Sequence, residues 1–218
     1  MIPDRQHRRE RPEENAEDVA EGTTTIGITA EGGVVLATER RASMGNLVAS
    51  KTAKKIHGIT DHAAMTISGG VGDGQSLAKT LKIEANLYEM RRGRPLSMTG
   101  LASMAGNVMR SYFFYVVPLL GGVDDEGPHV FSLDPAGGVM EEEYASTGSG
   151  SVIAYGVLED HYADGLSMDE ARSLAVRGLR SAMERDTASG NGVLLASITE
   201  DGVEMASEEE TDALMEEL

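Results

Sequence analysis

The chain has 218 residues, of which 25% are charged, a formal net charge of -17, and no cysteine. Without thiols there is no disulfide framework, no thiolate metal site and no cysteine nucleophile, so covalent chemistry falls to Ser, Thr or Lys. The acidic balance argues against a nucleic-acid partner, and no run approaches the roughly 20 apolar residues that a membrane-spanning helix needs.

Residues Met1 to Gly22 hold almost nothing apolar, and Arg5, Arg8, Arg9 and Arg11 alternate with Glu10, Glu13, Glu14, Glu17, Asp18 and Glu21. Such a stretch buries too little surface to offset its ordering entropy. It lacks the apolar core of a secretory signal, and its acidic residues argue against a transit peptide, so it reads as a propeptide or a disordered tail. The cytoplasm is the default compartment. Four Arg against seven Asp and Glu leave -14 on the 196 residues that follow, enough chain for one large domain.

The leader runs into Gly22-Thr23-Thr24-Thr25-Ile26-Gly27-Ile28. A threonine freed at this junction carries a hydroxyl and an α-amine on one residue, so nucleophile and base come together. Thr24 to Thr29 and Val34 to Thr38 then read as strands joined at Ala30-Glu31-Gly32-Gly33. After a polar link from Ala49 to Lys55, Ala63 to Ser68 reads as another strand, ending in Gly69-Gly70-Val71-Gly72-Asp73-Gly74. This glycine run matches neither G-x-G-x-x-G nor the Walker pattern, which argues against nucleotide binding.

Helices are predicted over Gln75 to Arg91, stopped by Gly93-Arg94-Pro95, and over Ser97 to Tyr112. Val116 to Leu120 and His129 to Leu133 read as strands about a turn from Gly121 to Pro128. Gly148-Ser149-Gly150-Ser151 introduces a helix over Val152 to Leu158, and Ser167 with Glu170 caps another that runs to Arg185. Val193 to Thr199 and Val203 to Met205 form a closing hairpin, followed by an acidic, loosely held helix from Ser207 to Leu218. Strand runs alternating with helix pairs suit stacked antiparallel sheets with helices on both outer faces, not a doubly wound parallel sheet. The five histidines show no metal-ligand spacing.

Taken together, the junction at Thr23, Ala37-Thr38-Glu39-Arg40-Arg41, Lys54-Lys55, Ser68-Gly69-Gly70-Val71-Gly72-Asp73, Gly148-Ser149-Gly150-Ser151 and Arg185-Asp186-Thr187-Ala188-Ser189-Gly190 resemble the β-type subunit of an archaeal, haloarchaeal-like, 20S proteasome. The resemblance covers essentially the whole chain. It implies the α+β N-terminal-nucleophile hydrolase fold, a four-layer αββα sandwich of two antiparallel sheets over residues 23–218. It also implies a propeptide over residues 1–22, cut between Gly22 and Thr23 by the chain itself.

The same resemblance makes Thr23 the nucleophile of a threonine protease. Lys55 is implied as the ammonium that tunes it, Glu39 as the partner of Lys55, Gly69 as the oxyanion donor, and Ser149, Asp186 and Ser189 as the groups that orient the freed amine. Whether the amine or Lys55 is the formal base stays open. Ala42, Ala53, Ile67 and Val71 match positions of the family's primary pocket, and Ser43 the residue that holds an extended substrate. Ser43 stands where threonine is usual, and Asn191 where a second glycine is common. No cofactor is implied. Partners implied are further copies in two inner seven-membered rings, α-type subunits in the outer rings, an ATPase, and unfolded protein substrates. A bacterial-type two-component ring protease and a non-catalytic ring subunit are the alternatives; the joint presence of Thr23, Glu39, Lys55 and Asp186 argues against the second.

An excess of carboxylates repels itself in dilute salt and is screened at molar salt, where the Debye length is about 3 Å. A high-salt cytoplasm is therefore expected. The melting temperature should rise between dilute and multimolar KCl, measured by thermal scanning; an unchanged value would overturn the halophilic reading.

Overall fold

A computed structural model describes residues 22–112 and 114–217. The leader reading covers residues 1–22, of which 1–21 lie outside the described residues. From Thr24 the chain builds β1 (Thr24–Ala30), β2 (Gly33–Glu39), β3 (Ala42–Met44), β4 (Leu47–Ser50), β5 (Ile56–Thr60) and β6 (Ala63–Thr66), then α1 (Val71–Arg92) and α2 (Met98–Ser111). There follow β7 (Leu119–Asp124), β8 (Gly127–Leu133), β9 (Val139–Glu142), β10 (Tyr144–Gly148), α3 (Ser151–His161), α4 (Met168–Arg185), β11 (Val193–Thr199), β12 (Gly202–Met205) and α5 (Glu208–Glu216).

The strands form two five-stranded sheets, in the orders β10-β1-β2-β11-β12 and β5-β6-β7-β8-β9, with β3 and β4 as a separate pair. Strand neighbours are antiparallel throughout. Because successive side chains alternate faces, each central strand feeds two cores. Val34 and Leu36 point between the sheets with Leu119 and Val130, whereas Ile26, Val35 and Ala37 pack with Leu158, Leu174 and Leu179 of α3 and α4. On the far side Met65, Leu120 and Phe131 meet Leu77, Leu81, Leu101 and Met109 of α1 and α2. The result is helix, sheet, sheet, helix: the four layers expected from the element order. No helix among the described residues is long and apolar enough to cross a membrane.

Several boundaries differ from the sequence expectation, each for a packing reason. The Gly121 to Pro128 turn shrinks to Asp125 and Glu126, because Gly121 and Gly122 lie inside β7. A Cβ on Gly121 would stand 2.8 Å from Val34 Cγ1, and one on Gly122 would overlap Met98, so these glycines serve close packing rather than chain reversal. Likewise α1 starts at Val71 instead of Gln75. A Cβ on Gly74 would sit 2.5 Å from Ile67 Cγ2, which seats the first turn of the helix directly on the residue that follows β6. The strand expected from Val116 begins only at Leu119. Pro118 has no N–H to donate there, although its carbonyl accepts from Leu133 N at 3.2 Å.

Five strands, β3, β4, β5, β9 and β10, were not expected. The first two fold as a largely exposed hairpin just before the predicted polar link, overlapping it only at Ala49 and Ser50, and β9 is exposed along its whole length. The capping box of Ser167 and Glu170 is present as predicted. The C-terminal helix is docked rather than loose: Ser207 and Glu210 form a second capping box, Leu214 and Met215 pack on the α3–α4 core, and Glu208 pairs with Arg40.

His129 staples three strands. From β8 its Nδ1 lies 2.5 Å from Glu141 Oε1 of β9 and its Nε2 3.1 Å from Asp124 Oδ1 of β7. Burial opposes its charge, but the carboxylates of Glu141 and Asp124 outweigh burial and raise its pKa above 6.5. A raised folded value means that the stabilisation is fully present below the unfolded pKa near 6.5 and is lost as pH rises through the higher folded value. Urea midpoints across pH should show this decline for the wild type and lack it for His129→Gln.

Candidate active site

Strand ends from both sheets deliver the predicted residues to one place. Thr23 precedes β1, Glu39 ends β2, and Lys55 immediately precedes β5. All three are buried, with Thr23 3%, Glu39 0% and Lys55 2% exposed. Lys55 Nζ donates to Thr23 Oγ1 at 2.9 Å, and it also donates to Glu39 Oε1 and to the Arg41 carbonyl. Thr23 Oγ1 in turn donates to the carbonyl oxygen of Gly22 at 2.7 Å. The hydroxyl therefore lies between an ammonium and the carbonyl of its own preceding peptide.

Burial pushes the carboxyl of Glu39 above its ordinary value, opposed by the charge and hydrogen bond of Lys55 and by the N–H groups of Gly190 and Arg41. Those N–H groups reach Oε2 from 3.1 and 2.6 Å, and Thr24 N reaches Oε1 from 3.3 Å. The pair is thus enclosed by main chain from β1, from the end of β2 and from the link into β11.

A second network approaches from α3 and α4. Asp186, the C-cap of α4, accepts at Oδ2 from Ser149 Oγ and from Ser189 Oγ, each at 2.6 Å. Ser149 Oγ also lies 3.4 Å from the Thr23 carbonyl. Since the single proton of Ser189 goes to Asp186, Thr24 Oγ1 is the donor in its 2.7 Å contact with Ser189 Oγ. Asp186, Ser149 and Ser189 come together as expected; Thr24 joins them although the sequence reading had not singled it out.

Gly69 has φ +103 at the corner between β6 and α1, and a Cβ there would stand 2.6 Å from the Tyr115 carbonyl. Only glycine suits that backbone. Gly148, at φ +99, allows equally close approach to the Thr23 carbonyl, with Ser68 Oγ 2.8 Å from where its Cβ would lie. The Ser68–Gly69 corner is therefore beside Thr23. On the leader side, Gly22 N donates to Ser43 Oγ at 3.1 Å, and a Cβ on Gly22 would overlap Ala188.

Two of the remaining pocket candidates are tied by main chain to this region. Ala53 N donates to the Arg40 carbonyl at 2.9 Å and Ile67 N to the Lys55 carbonyl at 2.8 Å. Ala42 opens β3 and Val71 opens α1, both partly exposed. Ile67, expected in the pocket, is instead 2% exposed, its side chain lying in the α1–α2 core because Gly74 of α1 packs directly on it. Arg41, Thr24 and Ala188 are contributors that the sequence reading missed. Their only signal was adjacency to Glu39, Thr23 and Asp186. A cavity of about 670 Å³ bordered by Thr29, His129 and Tyr155 lies at the other end of β1; there Thr29 Oγ1 donates to the Glu143 carbonyl, not to a base.

A family model described as "Proteasome subunit" matches residues 19–198. The proteasome subunit beta of Methanothermobacter thermautotrophicus is 53% identical over 208 residues, covering 94% of this chain and 99% of that one. That of Methanobrevibacter smithii is 52% identical over 197 residues, covering 90% and 97%. The Haloferax volcanii proteasome subunit beta is 53% identical over 194 residues, covering 88% and 80%.

Removing one partner of a buried ion pair leaves an uncompensated charge, which costs about 3 to 5 kcal/mol. Glu39→Gln should therefore lower unfolding stability by about that much, read by chemical denaturation. Adding Lys55→Met should recover most of the loss, because neither charge then remains buried.

Proposed function

The chain belongs to the proteasome subunit family, and on that premise we propose that it is the proteolytic β-type subunit of a proteasome core particle, with Thr23 as nucleophile. The observation that carries this reading is the buried Lys55 ammonium 2.9 Å from Thr23 Oγ1. It is supported by Glu39, which pairs with that ammonium, and by the Asp186 network beside the Thr23 carbonyl. In this reading the leader of residues 1–22 is a propeptide and residues 23–218 are the catalytic domain. Seven copies form each inner ring, α-type subunits form the outer rings, and an ATPase supplies unfolded chains in the cytoplasm.

In the uncut chain the nitrogen of Thr23 is an amide and has no basic lone pair. Its hydroxyl oxygen attacks the Gly22 carbonyl carbon, the carbon–nitrogen bond breaks, and the hydroxyl proton ends on the departing nitrogen. Water then hydrolyses the resulting ester, which frees the carboxylate of the leader and the amine of Thr23. Gly22 suits this step because its seat against Ala188 leaves no room for a Cβ.

In the mature subunit the same oxygen attacks a substrate carbonyl. The free α-amine, with an ordinary pKa of about 7.7 to 8.0, accepts the hydroxyl proton directly or through a water and passes it to the departing amine. The adjacent Lys55 charge lowers the pKa of that amine and so favours its neutral, proton-accepting form. The Gly69 N–H donates to the developing oxyanion; loss of one such donor costs about 2.7 to 4 kcal/mol. Ser149, Asp186 and Ser189 aim the amine, without which the proximity gain is lost. Water hydrolyses the Thr23 ester to complete the turnover. Apolar Ala42, Ala53 and Val71 favour cleavage after large apolar residues, while Ser43 holds the substrate backbone.

The test is the intact mass of the subunit after co-expression with an α-type partner in high salt. Wild-type chains should begin at Thr23 and Thr23→Ala chains should keep residues 1–22. Loss of the leader from Thr23→Ala chains with no wild-type subunits present would overturn the reading.

A further inference from the structure

Among the described residues, Asn191 is the only non-glycine residue with positive φ, at 67°. That region disfavours any side chain, although asparagine tolerates it better than most. It stands between Gly190 at φ 156° and Gly192 at φ 92°, in the link that joins α4 to β11. Glycine at 191 would adopt the same backbone without cost, so a side chain here calls for a reason.

The contacts of Asn191 supply one. Its Oδ1 accepts from Arg41 Nε at 2.9 Å, and Arg41 Nη1 donates to the Thr187 carbonyl at 2.6 Å. The guanidinium lies over Gly190, where a Cβ would overlap it. The side chain of Arg41 is thus gripped by the Thr187–Asn191 segment. Its main chain belongs to the other half of the site: Arg41 N donates to Glu39 Oε2 at 2.6 Å, and its carbonyl accepts from Lys55 Nζ. Thr24 bridges the two halves from the β1 side, its N–H on Glu39 Oε1 and its hydroxyl on Ser189 Oγ; Arg41 bridges them from the β2 side, and its grip is the one that depends on residue 191.

We propose that Asn191 is a positioning residue, which locks the Arg41 guanidinium on the Thr187–Gly190 turn and so fixes the Lys55–Glu39 pair relative to the Asp186–Ser189 network on either side of Thr23. This rests on the reading of Thr23 as nucleophile. The guanidinium of Arg41 is held at two points, Nη1 by the Thr187 carbonyl and Nε by Asn191 Oδ1. With the first alone the planar group can still swing about its Nη1 contact; the second stops that rotation. A shift of about 1 Å between the two halves of a catalytic site is enough to lower the rate by up to about a hundredfold.

The experiment compares wild type, Asn191→Gly and Asn191→Asp in particles assembled by co-expression with an α-type subunit in high salt, with a fluorogenic peptide as substrate. Asn191→Gly removes the Nε acceptor and relieves the backbone, so its melting temperature should equal or exceed that of the wild type. Its kcat should fall about tenfold with KM within about twofold. Asn191→Asp keeps an acceptor for Nε and should retain kcat within about twofold of the wild type. Wild-type kcat in Asn191→Gly, or equal loss in both variants, would overturn the proposal while leaving the nucleophile reading intact. An assembled wild-type particle with no activity would overturn the nucleophile reading, and this inference with it.

Discussion

The burial of the Lys55–Glu39 ion pair is the constraint around which the rest is arranged. Taking each ion out of water costs several kcal/mol, and their attraction offsets this only where the remaining donors and acceptors are also satisfied. Here they come from neighbouring strands. β2 lies between β1 and β11, so the carboxylate at its end receives Thr24 N from one side and Gly190 N from the other. The remaining contacts of the ammonium, to Arg41 and Thr23, follow from the same convergence. A chain that ended β2 elsewhere in the sheet could not solvate this pair with main chain.

The sandwich supplies that convergence by bringing its layers unusually close in particular places. Gly121 and Gly122 let β7 approach β2 and α2. Gly178 does the same between α4 and β1, where a Cβ would stand 2.6 Å from Ile26 Cδ1. Drawing α4 down onto β1 brings its C-cap, Asp186, to the level of Thr23 and Thr24. Layer packing and site geometry are in this sense one problem: the depth at which a helix sits decides whether its terminal carboxylate reaches the hydroxyls.

Much of this was legible in the sequence because it is periodic or local. The unbroken apolar run from Val34 to Ala37 announces a strand, here one buried on both faces, and the Ser167–Glu170 spacing announces a cap. The same holds for the family-like intervals that tie Glu39, Lys55 and Gly69 to Thr23. What escaped was decided across the fold. Glycines in β7 and in the first turn of α1 look like turn residues until the opposing side chain is known. The strand β9 has no buried face to leave a pattern. Arg41 looks like an ordinary surface cation, and its reach to Thr187 and Asn191 spans about 150 residues of sequence. The docking of α5 was likewise hidden, since an acidic tail reveals nothing of the arginine that receives it.

The seat that closes around Gly22 also bears on accuracy. Because a Cβ there would overlap Ala188, sliding the chain by one residue would drive the side chain of Glu21 or Thr23 into the space that only a hydrogen fills. In the proposed processing, the position of the cut is then set by exclusion rather than by reading the residues upstream, much as a gauge passes one part and stops the next. A leader of almost any composition can be tolerated under such a rule, provided that it ends in the smallest residue.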